Sequence, residues 1–464
     1  MADTPPSSAQ KVSMPQPINP LILSRVFLIL ALAIPEISSG VTSGVTSGVM
    51  EGGLHGGADE RYFATIRRST VMIETTIPFA FNEEQRGVLQ GTGFLVDSRR
   101  GWILTNAHVA GRSPSRNRVS FDGLPPINAK KVYVDPSLDV AILSIPTSSI
   151  PDASNAAQLS CDDTLQSGHS IGTVGYPDGL VTVTRGIVSG HVHLFDEDYL
   201  QIDAPINPGN SGGPLVDMDT GQVVGINTAR KNGSQNMNFS IPISQVCGVL
   251  HLLQSGVDPA PPILHWVFYQ SRPGDPLKIA RIYDPSETTL LPDDIIVSAN
   301  GTPAAGTLTG FLNQMRGLPQ PVFLGVMRHG KLLRIQQTFS LDHDSTYHDG
   351  FVLDGALVGW VGPSLASQLG VSPVGIHWVE SGSPAEEFHL EKTDFIVGID
   401  SEPLIDPRQA YKLLYDDKKY GRLARLSIQR FSQSSSQGLF IYLEKTIKVE
   451  DLQSIPGFVP AGGD

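Results

Sequence analysis

The stretch "DAPINPGNSGGPLV", residues 203–216, surrounds one serine, Ser211, with glycine and proline and ends in apolar residues. Glycine and proline favour turns, so the pattern alone is typical of a turn with an incidental serine. A serine hydroxyl is also a nucleophile in hydrolytic enzymes. Near neutral pH it then needs a base, a group that orients the base, and donors for the negative charge that develops. The rest of the chain therefore decides how Ser211 is interpreted.

A base and an orienting acid are both found upstream. "WILTNAHVA", residues 102–110, places His108 at the end of an apolar strand pattern, and "VDPSLDVAILSI", residues 134–145, places Asp139 directly before apolar residues. A lone histidine in such a place is more often structural than catalytic. A carboxylate before an apolar run costs free energy unless it is hydrogen bonded, and a histidine N–H is a suitable partner. The neighbouring Asp135 is interpreted as a solvated turn residue.

Together with the serine, these residues give the order His108, Asp139, Ser211, which is the chain order of the chymotrypsin-type arrangement. In this hypothesis His108 removes the proton from Ser211 and returns it to the leaving amine, while Asp139 fixes the histidine tautomer. The glycines of "GNSGG" let the N–H groups of Gly209 and Ser211 converge on one point, with Asn210 between them. These three residues are the predicted oxyanion hole.

Short apolar and β-branched runs, broken by Gly, Pro, Asn and Asp, fill the chain from about residue 62 to 241. Such a pattern predicts an antiparallel sandwich or barrel. Apolar residues at positions 246, 249, 250 and 253 have helical spacing and predict a closing helix. The Gly/Pro-rich stretch "SGVDPAPP", residues 255–262, is the first predicted domain boundary.

The C-terminal part of the chain repeats itself. "DDIIVSANGTP", residues 293–303, aligns with "TDFIVGIDSEP", residues 393–403, at an offset of 100 residues. A helix-like stretch and then a strand-like stretch follow each copy. An internal repeat of this length predicts two copies of one small domain, joined near residues 340–350.

Five segments together resemble the trypsin-like core of the HtrA/Deg family of serine proteases: "GTGFLVD", "TNAHV", "LDVAIL", "DAPINPGNSGGPLV" and "GINTA". The repeated copies resemble the PDZ domains that follow the protease in that family. The resemblance implies a mainly β fold, with a chymotrypsin-like double β-barrel followed by two small α+β PDZ-like domains. It also implies a serine endopeptidase that acts on unfolded or damaged proteins, with His108, Asp139 and Ser211 as its triad.

The predicted division of the chain has five parts. They are a signal-like or anchor segment with a flexible tether (1–61), the protease domain (62–255), PDZ-like domains (262–342 and 350–448) and a C-terminal tail (449–464). The family also implies homotrimers built through N-terminal aromatic residues, for which Tyr62 and Phe63 are the candidates. The alternative is a catalytically idle PDZ adaptor or chaperone. A degenerate protease is expected to lose a triad residue or an oxyanion glycine, and this sequence has kept them all.

Two binding sites are predicted in addition to the triad. Ile206 and Ile226 are the predicted lining of the pocket for the residue before the cut, and the lack of an acidic residue there favours small aliphatic side chains. In the second PDZ-like domain, Val358, Gly359 and Trp360 are the predicted loop that captures peptide C-termini. The first copy lacks such a loop. Both copies can also be interpreted as rigid spacers or assembly contacts.

Composition excludes some functions. The 464-residue chain has a formal net charge of −13 and lacks the clustered Lys and Arg that phosphate binding needs, so no nucleic-acid partner is expected. No cofactor is expected. His191 and His193 share a strand face, but no third ligand is evident, so no metal is predicted. Cys161 and Cys247 are interpreted as buried inert thiols, and one disulfide stays open as an alternative if the chain is exported.

The N-terminal region predicts an exported or membrane-anchored protein. The apolar run Val26–Ala33 follows a basic flank and ends in small residues, as in an export signal. It is shorter than the roughly 20 residues of a membrane span, although an uncleaved copy would act as an anchor. A repeat rich in Gly, Ser and Thr follows it and predicts a flexible tether. The expected location is therefore exported and periplasmic, or anchored to a membrane.

Overall fold

Two closed β-barrels followed by two open sheets make up the fold. The computed structural model describes residues 56–81, 84–135, 137–162, 165–194, 197–230, 238–269, 274–282, 285–343, 348–361, 366, 371–432, 439–456 and 458. The predicted export signal or anchor at Val26–Ala33, and the tether up to residue 55, lie outside these residues. Within the described ranges, no helix has both the length and the apolar character needed to cross a membrane.

The first barrel closes six antiparallel strands in the order β1-β2-β3-β6-β5-β4. They are β1 (Thr70–Ile77), β2 (Gly87–Asp97), β3 (Trp102–Thr105), β4 (Arg116–Phe121), β5 (Ile127–Val134) and β6 (Ala141–Ser144). Burial alternates along β1 and β4, as expected of strands that pack one face on a core. The interior is apolar, and Ile73, Leu95, Ile103 and Leu143 are fully buried.

The second barrel has the order β10-β11-β12-β9-β8-β7. Its strands are β7 (Ser170–Gly175), β8 (Thr182–Leu194), β9 (Glu197–Ile202), β10 (Pro214–Asp217), β11 (Val223–Arg230) and β12 (Asn238–Pro242). Ile171, Val188, Ile202 and Leu215 fill its interior. The two barrels confirm the chymotrypsin-like double barrel expected from the sequence.

One apolar cluster joins the two barrels. It unites Phe94, Leu104 and Ile142 of the first barrel with Val216 and Ile241 of the second. All five are at most 3% exposed, and burying a side chain of this size contributes roughly 1.5–3 kcal/mol. Members of the cluster lie on β3, β6 and β10, so the ends of these three strands are held at a fixed separation. The candidate histidine, aspartate and serine all lie at those ends.

The first helix, α1 (Gly56–Ser69), begins six residues before the boundary predicted at Tyr62. Its two aromatic residues pack on the second barrel of their own chain. A Cβ on Gly221 would lie 2.5 Å from the Tyr62 ring, and one on Gly172 would lie 2.6 Å from the Phe63 ring. The predicted subunit contacts are therefore used within the chain, with glycine allowing each close approach.

The predicted closing helix is confirmed as α3 (Ile243–Gln254), and a disulfide joins it to the loop before β7. The bridge links Cys161 to Cys247 across 86 residues of sequence. The interpretation of these cysteines as free thiols was wrong, because the fold brings the start of the second barrel against α3. Closing so long a loop restricts the unfolded chain and stabilises the barrel.

Two open sheets follow the barrels. The first has the order β13-β14-β15-β17-β18 with β16 on β15, and the second has the order β25-β24-β22-β21-β20-β19-β26 with β23 on β22. Their strands are β13 (Trp266–Phe268), β14 (Leu277–Ile282), β15 (Ile295–Ala299), β16 (Thr302–Pro303), β17 (Val322–Arg328), β18 (Lys331–Gln337), β19 (Gly350–Leu353), β20 (Ala356–Trp360), β21 (Val374–Val379), β22 (Phe395–Ile399), β23 (Glu402–Pro403), β24 (Leu423–Ser432), β25 (Leu439–Lys448) and β26 (Leu452–Ser454). The helices are α4 (Leu308–Met315) in the first and α5 (Pro384–Glu387) and α6 (Pro407–Tyr420) in the second.

The internal repeat reappears as matching contacts. Asp294 and Asp394 occupy the same place in the two copies, and both are buried. Asp294 accepts a hydrogen bond from Nε of Arg328 at 2.7 Å, and Asp394 accepts one from Nε of Arg430 at 2.6 Å. The helix-like and strand-like stretches predicted after each copy are confirmed as α4 with β17 and α6 with β24.

Candidate active site

His108 lies on a single helical turn, α2 (Ala107–Ala110), directly after β3. Its neighbours Ala107, Val109 and Ala110 are buried in the first barrel and hold the turn against the core. The His108 side chain is 46% exposed. Nearly half of the side-chain surface is therefore accessible to solvent.

Asp139 contacts the Nδ1 side of the His108 ring. Its Oδ1 accepts the backbone N–H of His108 at 3.0 Å, and its Oδ2 lies 2.6 Å from Nδ1 of His108. Thr228 of the second barrel donates its hydroxyl to Oδ2 at 2.9 Å. Nη2 of Arg112 lies 3.7 Å from Oδ1, and Asn106 donates its side-chain N–H to the Asp139 carbonyl at 2.8 Å. The carboxylate therefore accepts hydrogen bonds from both barrels.

The electrostatics of the pair favour charge on both partners. Burial raises the pKa of Asp139, but the opposite effects of His108 and Arg112 are larger and lower it to about 2. Burial lowers the pKa of His108, whereas the charge and hydrogen bond of Asp139 raise it further, so it lies above its ordinary value. An ionised carboxylate only accepts hydrogen bonds. We therefore assign the proton of neutral His108 to Nδ1, which leaves Nε2 free to act as a base.

A tight turn sets the shape of the serine loop. The N–H of Asn210 donates to the carbonyl of Asn207 at 2.9 Å, and Gly209 has a φ of +99°. Proline followed by glycine at a positive φ is the pattern of a type II turn. A Cβ on Gly209 would lie 2.6 Å from the carbonyl oxygen of Tyr176, so only glycine fits.

The first barrel clamps this loop through Thr92. The Thr92 hydroxyl donates to the Gly209 carbonyl at 2.6 Å, and its N–H donates to the Ser211 carbonyl at 2.8 Å. Among the described residues, the N–H groups of Gly209 and Ser211 donate to no protein acceptor. Asn210, which lies between the two predicted donors, uses its own N–H in the turn. The two free donors are those of Gly209 and Ser211.

Ser211 belongs to the second barrel, in the loop before β10. Its hydroxyl donates to the Thr228 carbonyl at 3.1 Å, the one hydrogen bond of that hydroxyl among the described residues. Thr228 thus contacts both Ser211 and Asp139. Sequence reasoning missed Thr228 and Thr92, because a threonine within a strand carries no local signal of such a role.

The predicted specificity pocket is not found at its two residues. Ile206 is 5% exposed and lies in the interior cluster of the second barrel. Ile226 is fully buried and belongs to the separate cluster that joins the barrels. Because the two residues lie in different apolar clusters, their placement gives no support to a shared pocket, which stays a prediction.

The predicted peptide-binding loop is a strand. Val358, Gly359 and Trp360 form the second half of β20. The backbone of β20 pairs with β19 on one edge and with β21 on the other. A peptide that adds a strand needs an open edge, so the prediction of a free loop here was wrong.

The histidines considered for metal binding have other partners. Nε2 of His191 lies 2.7 Å from the Leu165 carbonyl, and Nδ1 of His193 lies 2.8 Å from Asp198. Elsewhere in the second barrel, His169 lies near Asp217 and Asp219. Asp217 accepts hydrogen bonds from its own turn, which gives these groups a structural role.

Known proteins are similar to this chain in both sequence and fold. Residues 91–226 match the family model of the trypsin-like peptidase domain. The chain is 28% identical over 376 residues to the periplasmic serine endoprotease DegP of Salmonella typhimurium, covering 76% of each. It is 28% identical over 372 residues to DegP of Escherichia coli (strain K12), covering 75% of this chain and 76% of that one. A solved structure of the HtrA-type protease AlgW with a tripeptide matches 61% of this chain and 96% of its own, at 25% identity and a TM-score of 0.51.

The double barrel and the match to the peptidase family model indicate the same class of protein. The protein is a trypsin-like serine endopeptidase. The alignments with DegP extend over more of the chain than the two barrels occupy. These similarities confirm the resemblance to the HtrA/Deg family of serine proteases that was found in the sequence.

Replacing Gly209 by alanine tests the two free donors. Alanine disfavours the φ of +99° and its Cβ would meet Tyr176, so the peptide must rotate and take the Gly209 N–H with it. Loss of one oxyanion donor lowers turnover by about 10²- to 10³-fold, and we expect that loss in casein hydrolysis. Gly168→Ala is the control, because Gly168 has a φ of +90° with open space around it. Wild-type turnover in folded Gly209→Ala would exclude the role of this N–H.

Proposed function

We propose that His108, Asp139 and Ser211 form the catalytic triad of this endopeptidase, with the N–H groups of Gly209 and Ser211 as its oxyanion hole. One observation carries the proposal. Thr228 donates its hydroxyl to Asp139 at 2.9 Å and accepts the Ser211 hydroxyl at 3.1 Å through its carbonyl. The orienting acid of one barrel and the nucleophile of the other therefore contact the same residue.

The proposed reaction begins with a rotation of the Ser211 side chain from the Thr228 carbonyl toward Nε2 of His108. His108 takes the hydroxyl proton as Oγ bonds to the substrate carbonyl carbon, and Asp139 stabilises the imidazolium that results. The carbonyl oxygen becomes an oxyanion that the two free N–H groups bind. His108 then protonates the leaving amine as the peptide bond breaks. A water molecule hydrolyses the acyl-enzyme by the same steps.

The proposed substrates are unfolded or damaged proteins, cut after small aliphatic residues. The relatives are named as serine endoproteases, and an endopeptidase cleft needs an extended chain, which a folded protein rarely offers. The proposed specificity rests on the lack of an acidic residue at Ile206 and Ile226, although both side chains are buried in cores. Mass spectrometry of casein fragments tests it: cuts mainly after Lys, Arg or aromatic residues would contradict this preference.

The proposed domain division keeps the protease followed by two PDZ-like copies, with the protease now starting at helix α1. Capture of peptide C-termini at the second copy requires strand exchange, because β19 occupies one edge of β20. The catalytically idle adaptor is the competing function. No described contact favours it, and the labelling experiment below separates the two.

The proposed assembly is a homotrimer, and the proposed location is outside the cytoplasm. The trimer follows from the family resemblance, and light scattering that gave the mass of one chain would contradict it. Export is supported by relatives named as periplasmic and by the Cys161–Cys247 disulfide, since disulfides persist in oxidising compartments. Sequencing the mature N-terminus tests cleavage after Ala33, and an intact N-terminus would favour an anchor.

Labelling with a fluorophosphonate tests the triad without a known substrate. The probe phosphorylates a serine that a neighbouring base activates, so we expect covalent modification of Ser211, located by mass spectrometry. The label should disappear after heat denaturation. Denatured protein is the matched control, because it holds the same serines without His108 beside them. Absence of label at Ser211 in native protein, with casein and activating peptides present, would favour the idle adaptor.

A further inference from the structure

Helix α4 of the first PDZ-like domain ends in a residue that enters the first barrel. Arg316 follows α4 directly, and its guanidinium is only 2% exposed. Its Nη1 lies 2.8 Å from Oδ2 of Asp135, whose side chain is 0% exposed. The interpretation of Asp135 as a solvated turn residue was therefore wrong. A buried charge pair joins the two domains.

Asp135 shapes the turn that leads to Asp139. Its Oδ1 accepts the N–H of Ser137 at 2.9 Å and the N–H of Leu138 at 2.7 Å. Its own N–H donates to the Val140 carbonyl at 2.8 Å. The backbone is thus fixed on both sides of Asp139 by a single residue.

Arg316 also contacts the turn directly. Its Nη2 donates to Oδ1 of Asp135 and to the Ser137 hydroxyl, both at 3.1 Å. On the side of its own domain, Nε donates to Asn313 at 2.8 Å. The planar guanidinium therefore hydrogen bonds to α4 through Nε and to the turn through Nη2.

Close packing delivers the arginine to this place. Gly317, the next residue, has a φ of +66°, and a Cβ on it would lie 2.6 Å from the Leu252 side chain of α3. The end of α4 therefore lies directly against the protease. The Arg316 side chain reaches the first barrel because the backbone at the end of α4 packs directly against α3.

We propose that Arg316 is a positioning residue for the peptidase, through which the first PDZ-like domain holds the 135–140 turn and so orients Asp139 toward His108. The inference rests on the proposed triad, in which Asp139 orients the base. Without the guanidinium, Asp135 would be a buried carboxylate with no cation, and such a group takes up a proton, admits water or turns outward. Each response moves the turn. A displacement of about 1 Å in catalytic geometry can lower turnover by about 10²-fold.

The variant Arg316→Met tests this in the full-length chain, since methionine keeps much of the apolar stem and removes the fork. We expect kcat for labelled casein to fall by about 10- to 10²-fold with KM little changed, because Arg316 does not line the cleft. The rate of fluorophosphonate labelling at Ser211 should fall in parallel. Arg328→Met is the matched control. It breaks the buried Asp294 pair of the same domain, so it should lower the melting temperature and leave kcat unchanged.

The outcomes separate this inference from the proposed triad. Absence of label at Ser211 in the wild type contradicts the triad itself. Normal labelling of the wild type with wild-type kcat in Arg316→Met overturns the positioning role alone, as does an equal loss of kcat in Arg328→Met. If Arg316→Met does not fold, Asp135→Asn/Arg316→Met removes the unpaired charge and is measured instead. Wild-type kcat in that folded double variant overturns the inference.

Discussion

Ser211→Ala is expected to abolish peptidase activity and to leave the fold intact. The hydroxyl makes one hydrogen bond among the described residues, to the Thr228 carbonyl, and the loop keeps its turn and the clamp by Thr92. Removing the nucleophile of a triad lowers turnover by about 10⁶-fold in well-studied serine proteases. Casein hydrolysis by the variant should therefore be indistinguishable from background, with the wild-type melting temperature and circular dichroism retained.

The control is Ser189→Ala, an exposed serine on β8 of the same barrel. It should digest casein at the wild-type rate, which shows that loss of a serine hydroxyl in this barrel is harmless in itself. Equal digestion by Ser211→Ala and the wild type would contradict the triad. Such a result would move the search for the nucleophile elsewhere in the chain.

The proposed triad can be assigned from the sequence because each member has a local signal. His108 and Asp139 are polar residues at the ends of apolar strands, and Ser211 lies in a glycine-rich loop between strands. The strand pattern predicted the barrels for a similar reason, since burial of one face imposes alternation along each strand. The resemblance to a family then supplied the number of barrels and their pairing.

The contacts that surround the proposed triad were not predictable, because each joins residues distant in sequence. Thr228 and Asp139 are 89 positions apart, and Arg316 and Asp135 are 181 positions apart. An isolated Asp135 before a turn is best interpreted as solvated. Only the docking of α4 on the barrel makes it a buried partner. The disulfide is similar, since the separation of Cys161 and Cys247 in sequence does not reveal their separation in space.

The structure needs a glycine at position 359, but for a reason other than the loop predicted from the sequence. The sequence predicts a loop at this glycine, yet Gly359 lies in β20, where a Cβ would be 2.6 Å from the ring of Phe81. Phe81 follows β1 of the first barrel and is buried in the core of the second open sheet. Glycine is needed there for the close approach of another domain, a demand that the local sequence does not express.

Asp139→Asn is expected to lower turnover by about 10⁴-fold, the effect typical of removing the orienting acid of a triad. Asparagine has the same shape, so Oδ1 can still accept the backbone N–H of His108. Its amide nitrogen, however, is a donor and cannot accept the proton on Nδ1. The proton then moves to Nε2, which leaves no base facing Ser211. Initial rates of casein hydrolysis measure the loss, and Asp152→Asn, an exposed carboxylate in the connection between β6 and β7, should keep the wild-type rate.

The pH profile of Asp139→Asn distinguishes loss of orientation from simple damage. In the wild type, Asp139 raises the pKa of His108 above its ordinary 6.5, so activity should rise with pH through that higher value as His108 becomes the neutral base. In the variant, the charge and hydrogen bond that raise the pKa are gone, while burial still lowers it. The rising limb should therefore move to lower pH as the plateau falls. A lower plateau with the limb at its wild-type pH would contradict the proposed role of Asp139 and indicate a general loss of structure.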